Sequence, residues 1–343
     1  MAGDNSYSPY LIIGKLSRDF ILTEDGTDLN DIPGGHLLYT AIGMSPWEKN
    51  PDLISRIGKN FPKTFLDYLS KYHLNIDGLK VLDIDLEHRN FISYLTSEGS
   101  EIKKTDSVLS QYFRSGKAFP KELLGFSSSY NRTDSMTERT GETILARDIP
   151  RQFLEARCIH LCPLDYLSHN LLPQAFSGST KRTITMQAGR GYMAPCFFEA
   201  VKTLINGLTG FITHEWNLRN LFAEHYRIHD TREMLRILLD YGADNIVVRT
   251  ENGSYYFINQ ADRQVKYLKE RSSEIRKKTG ELSCFCGAYL IGINETYDYQ
   301  KAAAYGAARA SMLKNDINPL NNLDVFDALL NEKIRIMQNM IEG

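Results

Sequence analysis

The stretch from residue 276 to residue 283 combines residue types that could bind an anion. Arg276, Lys277 and Lys278 are consecutive cations, and Gly280 follows them just before an apolar helical pattern. A glycine at a helix start places backbone N–H groups and the positive end of the helix dipole at one point. A basic run of this kind is usually a solvated loop, but here it could also attract an acidic ligand. The segment therefore predicts either an anion site or an ordinary helix start.

The cysteines and histidines do not have the spacing of a metal centre. Cys284 and Cys286 would point to different faces of one helix, so buried packing is the simpler interpretation. Cys158 and Cys162 flank His160, but a tetrahedral zinc site would need a second cluster of ligands. Five cysteines in 343 residues also do not resemble a disulfide framework. We therefore expect no metal and a reducing, cytoplasmic location.

Charge and hydropathy exclude several classes of partner. Lysine and arginine number 40 against 42 aspartate and glutamate residues, a formal net charge of −2. This balance provides no general attraction to nucleic acid or to an acidic membrane surface. No apolar run approaches the ~20 residues of a membrane helix, and the first residues do not resemble a secretory signal. We expect neither nucleic acid nor a membrane as a partner.

The elements that must position these residues alternate between strands and helices. This alternation predicts a mostly parallel sheet covered on both faces by helices. Two β-rich stretches, about 15–33 and 79–103, do not fit the alternation and predict a small separate sheet. Residues from about 105 to 150 are polar and predict an irregular insertion with some helix. The prediction is one α/β domain over residues 1–343, with strands near 10–14, 52–57, 158–161, 183–186, 210–213 and 245–248, and helices near 166–176, 196–205, 215–225, 231–241, 281–293 and 299–313.

Five segments, in this order, give the chain a resemblance to the ribokinase/PfkB carbohydrate kinase superfamily. They are Gly14 with Asp19, the pair Gly34-Gly35 followed by Tyr39, Arg56-Ile-Gly58, Lys278-Thr-Gly280-Glu-Leu-Ser283, and Tyr305-Gly-Ala-Ala-Arg-Ala-Ser311. The resemblance implies a ribokinase-like three-layer α/β/α sandwich, Rossmann-like, with a small β-sheet lid. It also implies phosphotransfer from ATP, with magnesium, to an alcohol group of a sugar or nucleoside.

The resemblance assigns the catalytic positions to residues that do not suit the reaction. The superfamily's base aspartate falls on Ser283, and a neutral hydroxyl is no base near pH 7. Of the anion hole only Gly280 is kept, with Leu282 and Glu281 at its other positions. Glu281 would repel a phosphate, although it is also a common first-turn helix residue. These departures predict lost or strongly reduced phosphotransfer.

The nucleotide and magnesium motifs implied by the resemblance are also altered. The magnesium motif N-x-x-E falls on the segment from His214 to Asn217, where both positions differ. The nucleotide turn keeps Gly253, has Thr250 in place of an inner glycine, and is completed by Lys278. ATP and magnesium are therefore expectations from the resemblance alone.

The substrate end is closer to the superfamily pattern. Asp19 could accept hydrogen bonds from sugar hydroxyls, or it could be a turn-forming aspartate. Gly34 and Gly35 would let a ligand approach the backbone closely, and Tyr39 stands where an asparagine is common. We expect the substrate contacts at these four residues.

Three functions remain open from the sequence. The leading hypothesis is a small-molecule-binding pseudokinase of the PfkB type. The first alternative is an active carbohydrate or nucleoside kinase in which Glu281 or Glu215 replaces the base. The second is a protein that binds sugar phosphates or other anions through Arg276, Lys277 and Lys278. The resemblance also implies a homodimer formed through the lid.

Overall fold

The computed structural model describes residues 8–23, 28–94, 107–127, 132–178, 182–225, 228–269, 279–314 and 318–342. The predicted contributions of Arg276, Lys277 and Lys278, and of residues 95–103 to the lid, lie outside the described residues. Among the described residues, no helix is long and apolar enough to cross a membrane.

A ten-stranded sheet forms the centre of the molecule, and a separate three-stranded sheet lies beside it. The larger sheet has the strand order β13-β12-β11-β10-β9-β8-β7-β1-β4-β5, and the smaller one has the order β3-β2-β6. Strands from β10 to β5 in this order are parallel, while β11, β12 and β13 add an antiparallel edge. The strands are β1 (Tyr10–Ile13), β2 (Ser17–Leu22), β3 (Asp28–Gly34), β4 (Asp52–Gly58), β5 (Asn75–Leu82), β6 (Arg89–Ser93), β7 (Cys158–Leu161), β8 (Thr183–Gln187), β9 (Gly210–His214), β10 (Asn245–Arg249), β11 (Tyr255–Asn259), β12 (Lys266–Leu268) and β13 (Ile341–Glu342).

Helices cover both faces of the central sheet, which gives the predicted three layers. Leu11 and Ile13 of β1 pack against one helical layer, whereas Ile12 packs against the other, as the alternation along a strand requires. The first layer contains α4 (Tyr166–Ala175), α5 (Phe198–Ile205), α6 (Glu215–Leu221) and α7 (Thr231–Asp240). The second contains α1 (His36–Met44), α2 (Lys63–Lys71), α8 (Glu281–Thr296), α9 (Tyr299–Ser311) and α10 (Asp327–Gln338).

The small sheet is the predicted lid, but one part of the prediction is wrong. Residues 79–82 do not belong to the lid, because they form the end of β5 in the central sheet. As the edge strand, β5 is only partly buried, so its sequence alternates as an exposed hairpin would. The helix α3 (Val108–Ser115) packs on the lid, where Tyr112 shares a small core with Phe20 and Leu22. The lid is therefore a two-layer unit.

The carboxyl ends of the parallel strands meet the lid and the starts of two helices at one edge. β8, β9 and β10 end there at Gln187, His214 and Arg249, close to the start of α8. β3 of the lid passes through Gly35 directly into α1, so the lid and that helix start are adjacent in the chain. In open α/β sheets this edge is where ligands bind.

Candidate functional site

Ser283 is the centre of a hydrogen-bonded chain at the start of α8. It is only 1% exposed and donates its hydroxyl hydrogen to Gln187 Oε1 at 3.0 Å. His36 Nδ1 lies 2.8 Å from the same serine oxygen. Because the serine hydrogen is already donated to Gln187, the Nδ1 atom must carry a hydrogen and donate it to Ser283 Oγ. His36 Nε2 then holds the imidazole lone pair.

His36 is held in the neutral form that this chain requires. Desolvation by the surrounding protein, and then the charge of Lys15, lower the pKa of His36 to about 4. The residue still has solvent-exposed surface, so the imidazole lies at the mouth of the cleft with its Nδ1 atom held by Ser283. The sequence pattern did not single out His36 or Gln187. The signal for His36 was its place directly after the glycine pair.

Glu281 is paired with a cation from the neighbouring strand. Its carboxylate forms an ion pair with the guanidinium of Arg249 at the end of β10, and both side chains are largely buried. The carboxylate therefore stabilises a buried positive charge at the start of α8. Leu282 packs with Ile212 and Val247 in the core, so it does not fill the cleft as the sequence suggested.

Tyr39 covers Gly280. Gly280 has φ +75°, and an added Cβ would lie 2.0 Å from Tyr39 Cγ. The tyrosine is 5% exposed, and burial, followed by the charge of Asp19, raises the pKa of its phenol well above the usual value. The ring thus occupies the space against the glycine that precedes α8.

Asp19 is a buried carboxylate with one free oxygen. Its Oδ1 atom accepts hydrogen bonds from Ser17 Oγ at 2.5 Å and Asn90 Nδ2 at 3.2 Å. Its Oδ2 atom has no hydrogen-bond partner among the described residues, although the residue is 1% exposed. Desolvation raises the pKa of Asp19 from 3.8 to about 6. An added Cβ at Gly34 would lie 2.1 Å from Oδ2, so only glycine fits there.

The lid contacts the segment before α8 through a second tyrosine. Tyr94 Oη lies 3.0 Å from Thr279 Oγ1, beside Gly280. Burial raises the pKa of Tyr94 to about 12, and the hydrogen bond to Thr279 opposes part of this increase. The lid is therefore closed onto the start of α8. Asp19, Gly34, Gly35, Tyr39, Gly280, Glu281 and Ser283, which the sequence predicted for one site, all lie at this junction.

The residues predicted for nucleotide binding stabilise a turn. Thr250 Oγ1 contacts Asn252 Oδ1 at 2.5 Å and the Ser254 carbonyl at 2.9 Å, just after β10. Gly253 has φ +87° in the same turn. Both positions lie at the carboxyl ends of the strands, but the single hydroxyl hydrogen of Thr250 is donated within the turn itself.

The motif expected for magnesium does not form a cluster of ligands. The His214 ring stacks on Trp216 at 5.5 Å, and desolvation lowers its pKa to about 3. The Glu215 carboxylate accepts hydrogen bonds from Arg219 and Thr231, each within 2.8 Å. No group of three potential metal ligands occurs within the part of the chain that the structure describes.

Comparison with known proteins identifies the fold. No family model and no curated protein matches the sequence. Solved structures do match: a Vibrio cholerae fructokinase with bound fructose, ADP and calcium has a TM-score of 0.65 at 13% identity, covering 95% of this chain and 98% of its own. The Methanocaldococcus jannaschii nucleoside kinase, an archaeal ribokinase-family member, matches with a TM-score of 0.61 at 14% identity, and the match covers 96% of this chain and 99% of the kinase. The Salmonella enterica aminoimidazole riboside kinase, complexed with aminoimidazole riboside and an ATP analogue, matches with a TM-score of 0.61 at 12% identity. This match covers 95% of this chain and 99% of the kinase. The chain therefore has the ribokinase-like fold.

Proposed function

We propose that this protein binds a sugar or nucleoside between the lid and the central sheet and has lost most phosphotransfer. The observation that carries the proposal is the contrast between two corners of one cleft. At the Asp19 corner, the buried Oδ2 atom has no hydrogen-bond partner among the described residues. At the Gly280 corner, the ring of Tyr39 covers the glycine. The solved relatives with this fold are kinases of sugars and nucleosides, and two of them were solved with such a substrate.

The Asp19 corner supports binding of a hydroxylated ligand. A buried carboxylate oxygen that lacks a hydrogen bond is costly, and a ligand hydroxyl that donates to Oδ2 would remove this cost. Ser17 and Asn90 already hold the other oxygen, so the carboxylate is oriented before a ligand arrives. A sugar or ribose fits this chemistry because its hydroxyl groups are donors with apolar carbons between them.

The Gly280 corner does not fit a triphosphate. Tyr39 fills the space against Gly280, and the Glu281 carboxylate is negative where a phosphate would need positive or neutral groups. Ser283 holds no charge, so it cannot take a proton from an alcohol. These residues therefore support no step through ATP or magnesium.

A second function, slow phosphotransfer with His36 as the base, is favoured by one observation. His36 Nδ1 lies 2.8 Å from Ser283 Oγ, at the position of the superfamily's base. The lone pair on Nε2 could accept a proton from a ligand hydroxyl, although a pKa near 4 makes it a weak base. The carboxylates that the sequence offers for this task, Glu281 and Glu215, are both engaged with arginines.

Ligand binding and turnover must be measured separately. We expect a panel of sugars and nucleosides to include a compound that raises the melting temperature. Asp19→Asn should weaken its binding at least tenfold, because the amide offers no anionic acceptor, whereas the exposed control Asp85→Asn should not. No stabilising compound, or equal binding by Asp19→Asn, would contradict the proposal.

A phosphotransfer assay with magnesium-ATP and the same compounds tests the second part of the proposal, the loss of phosphotransfer. We expect no turnover above background in the parent protein. Turnover that first arises in a Glu281→Ala, Leu282→Gly, Ser283→Asp, Tyr39→Asn variant would support a decayed kinase. Robust turnover in the parent that is lost in His36→Gln would establish the second function and refute the first.

The homodimer implied by the resemblance remains part of this proposal. One lid face is covered by α3, and the other faces the cleft with Asp19 and Tyr94, so the edge strands β3 and β6 are the parts of the described lid that a second copy could contact. Light scattering at micromolar concentration should give twice the mass of 39.1 kDa. A monomeric mass would remove this part without affecting ligand binding.

A further inference from the structure

A second cavity, distinct from the lid cleft, lies beside the edge strand β5. It has a volume of about 340 Å³, within the range of small-molecule sites. Its walls come from β4, the end of β5 and the irregular segment before α4. The lining includes three arginines and three apolar side chains: Arg56, Arg139, Arg147, Leu82, Ile84 and Leu145. None of them belongs to the lid cleft.

Two arginines in this cavity form no ion pair within the part of the chain that the structure describes. Arg139 and Arg147 are exposed and form no hydrogen bond or ion pair with other described residues. A long side chain with a free guanidinium is ordinary on a protein surface. Two of them that line the same concave site are a stronger indication, because both can donate to one bound anion.

A third, more buried arginine lies at the inner wall. Arg56 Nη1 donates to the Thr143 carbonyl at 2.6 Å, while Nε has no hydrogen-bond partner among the described residues. The Nε atom lies 3.6 Å from Asp148, but that carboxylate also accepts a hydrogen bond from Lys80 at 2.7 Å. One buried carboxylate therefore serves two cations, so the inner wall keeps an excess of positive charge.

The acidic residues around the cavity do not neutralise it. Asp83 is the one acidic residue in the described lining, and its side chain is fully exposed. Its Oδ1 atom lies 4.0 Å from Lys59 Nζ. Glu142, next to the lining residue Gly141, is bound to Lys15 at 2.7 Å. Among the described residues, the three arginines of the lining are therefore accompanied by the exposed Asp83 and by Asp148, which Arg56 shares with Lys80.

We infer that this cavity binds a small organic phosphate, a phosphate monoester, through Arg56, Arg139 and Arg147. Guanidinium groups match the oxygens of a phosphate bidentately, and a dianion satisfies the two free arginines together. The apolar side chains of Leu82 and Ile84, the latter 48% exposed, provide a surface for the organic part of the ester. An inorganic ion would leave this apolar surface in water.

Calorimetric titration of the full chain with phenyl phosphate tests the inference. Inorganic phosphate, benzyl alcohol and succinate isolate the contributions of the ester, the charge and the phosphate geometry. We expect phenyl phosphate to bind with a Kd below about 1 mM, and each comparison compound to bind at least tenfold more weakly. Phenyl phosphate has no sugar hydroxyls, so its binding does not depend on the lid cleft.

Variants of the two exposed arginines locate the site without disturbing the core. Arg139→Gln combined with Arg147→Gln should weaken phenyl phosphate about tenfold to a hundredfold, since charge-assisted hydrogen bonds are lost. The exposed control Arg151→Gln should leave binding unchanged. Absence of binding, or equal binding by the double variant, would overturn the site. Equal affinity for inorganic phosphate or succinate would overturn the assignment to a phosphate monoester.

Discussion

The closeness of Tyr39 to Gly280 can be tested by adding one methyl group at Gly280 and measuring the free energy of unfolding. Gly280→Ala places a Cβ 2.0 Å from Tyr39 Cγ on a residue with φ +75°. The left-handed backbone costs about 1–2 kcal/mol for an alanine, and the overlap with a buried ring costs a further 1–3 kcal/mol, roughly. We therefore expect a total loss of about 2–5 kcal/mol in the free energy of unfolding.

The chain length converts this loss into a melting temperature. At about 2.1 cal/mol/K per residue, 343 residues give an unfolding entropy of about 0.7 kcal/mol/K. Each kcal/mol then lowers the melting temperature by about 1.4 °C, so Gly280→Ala should lower it by about 3–7 °C. Differential scanning fluorimetry or calorimetry at neutral pH resolves a change of this size.

A matched glycine separates backbone strain from the ring contact. Gly116 has φ +68°, and an added Cβ there would meet nothing within 4 Å. Gly116→Ala should therefore show the backbone cost alone, about 1–3 °C. In a Tyr39→Ala background, Gly280→Ala should lose its additional cost and match Gly116→Ala. If Gly280→Ala matches Gly116→Ala in the parent protein, Tyr39 does not cover Gly280 and the proposal of a closed phosphate corner fails.

Three further predictions concern charge. The pKa of Asp19 is about 6 in the folded protein against 3.8 for the free side chain, so ionisation of Asp19 lowers the free energy of unfolding as pH rises from 4 to 6. Asp19→Asn should therefore gain about 3 kcal/mol of stability relative to the parent between pH 4 and pH 7. A difference in melting temperature that stays constant over this pH range would refute the burial of this charge. Burial lowers the pKa of His169 to about 4, so the parent should lose stability as pH falls from 6.5 to 4, and His169→Gln should lose less; parallel pH profiles would contradict this. Glu281→Gln should lower unfolding stability by about 1–3 kcal/mol because Arg249 loses its carboxylate partner, and an unchanged denaturant midpoint would show the pair to be unimportant.

The fold could be predicted from the sequence because its signals are periodic and local. The segment from Asp52 to Gly58 is a strand as predicted, and the helix expected from Glu281 to Ile293 is α8. The lid was placed correctly at 15–33, where β2 and most of β3 lie. The error at residues 79–82 arose because an edge strand and a lid strand are both half-buried, so their sequences alternate in the same way.

The site was predictable only where the chain keeps a motif. Ser283, Glu281 and Gly280 were aligned through the glycine at the helix start, and the structure places that helix start against the lid. The contact of His36 with Ser283 joins residues that are 247 positions apart, and no local pattern encodes such a pairing. The same is true of the ion pair between Glu281 and Arg249, which depends on strand β10 ending opposite α8.

The chain runs directly from β3 into α1 and so connects the neighbourhood of Asp19 to His36. Gly34 packs against Asp19, Gly35 follows with φ +101°, and His36 is the next residue. Phe20, Leu22 and Tyr112 pack the lid against α3, so these two layers share one small core. The lid strand that packs on Asp19 and the helix that begins with His36 are therefore joined by a single glycine, Gly35.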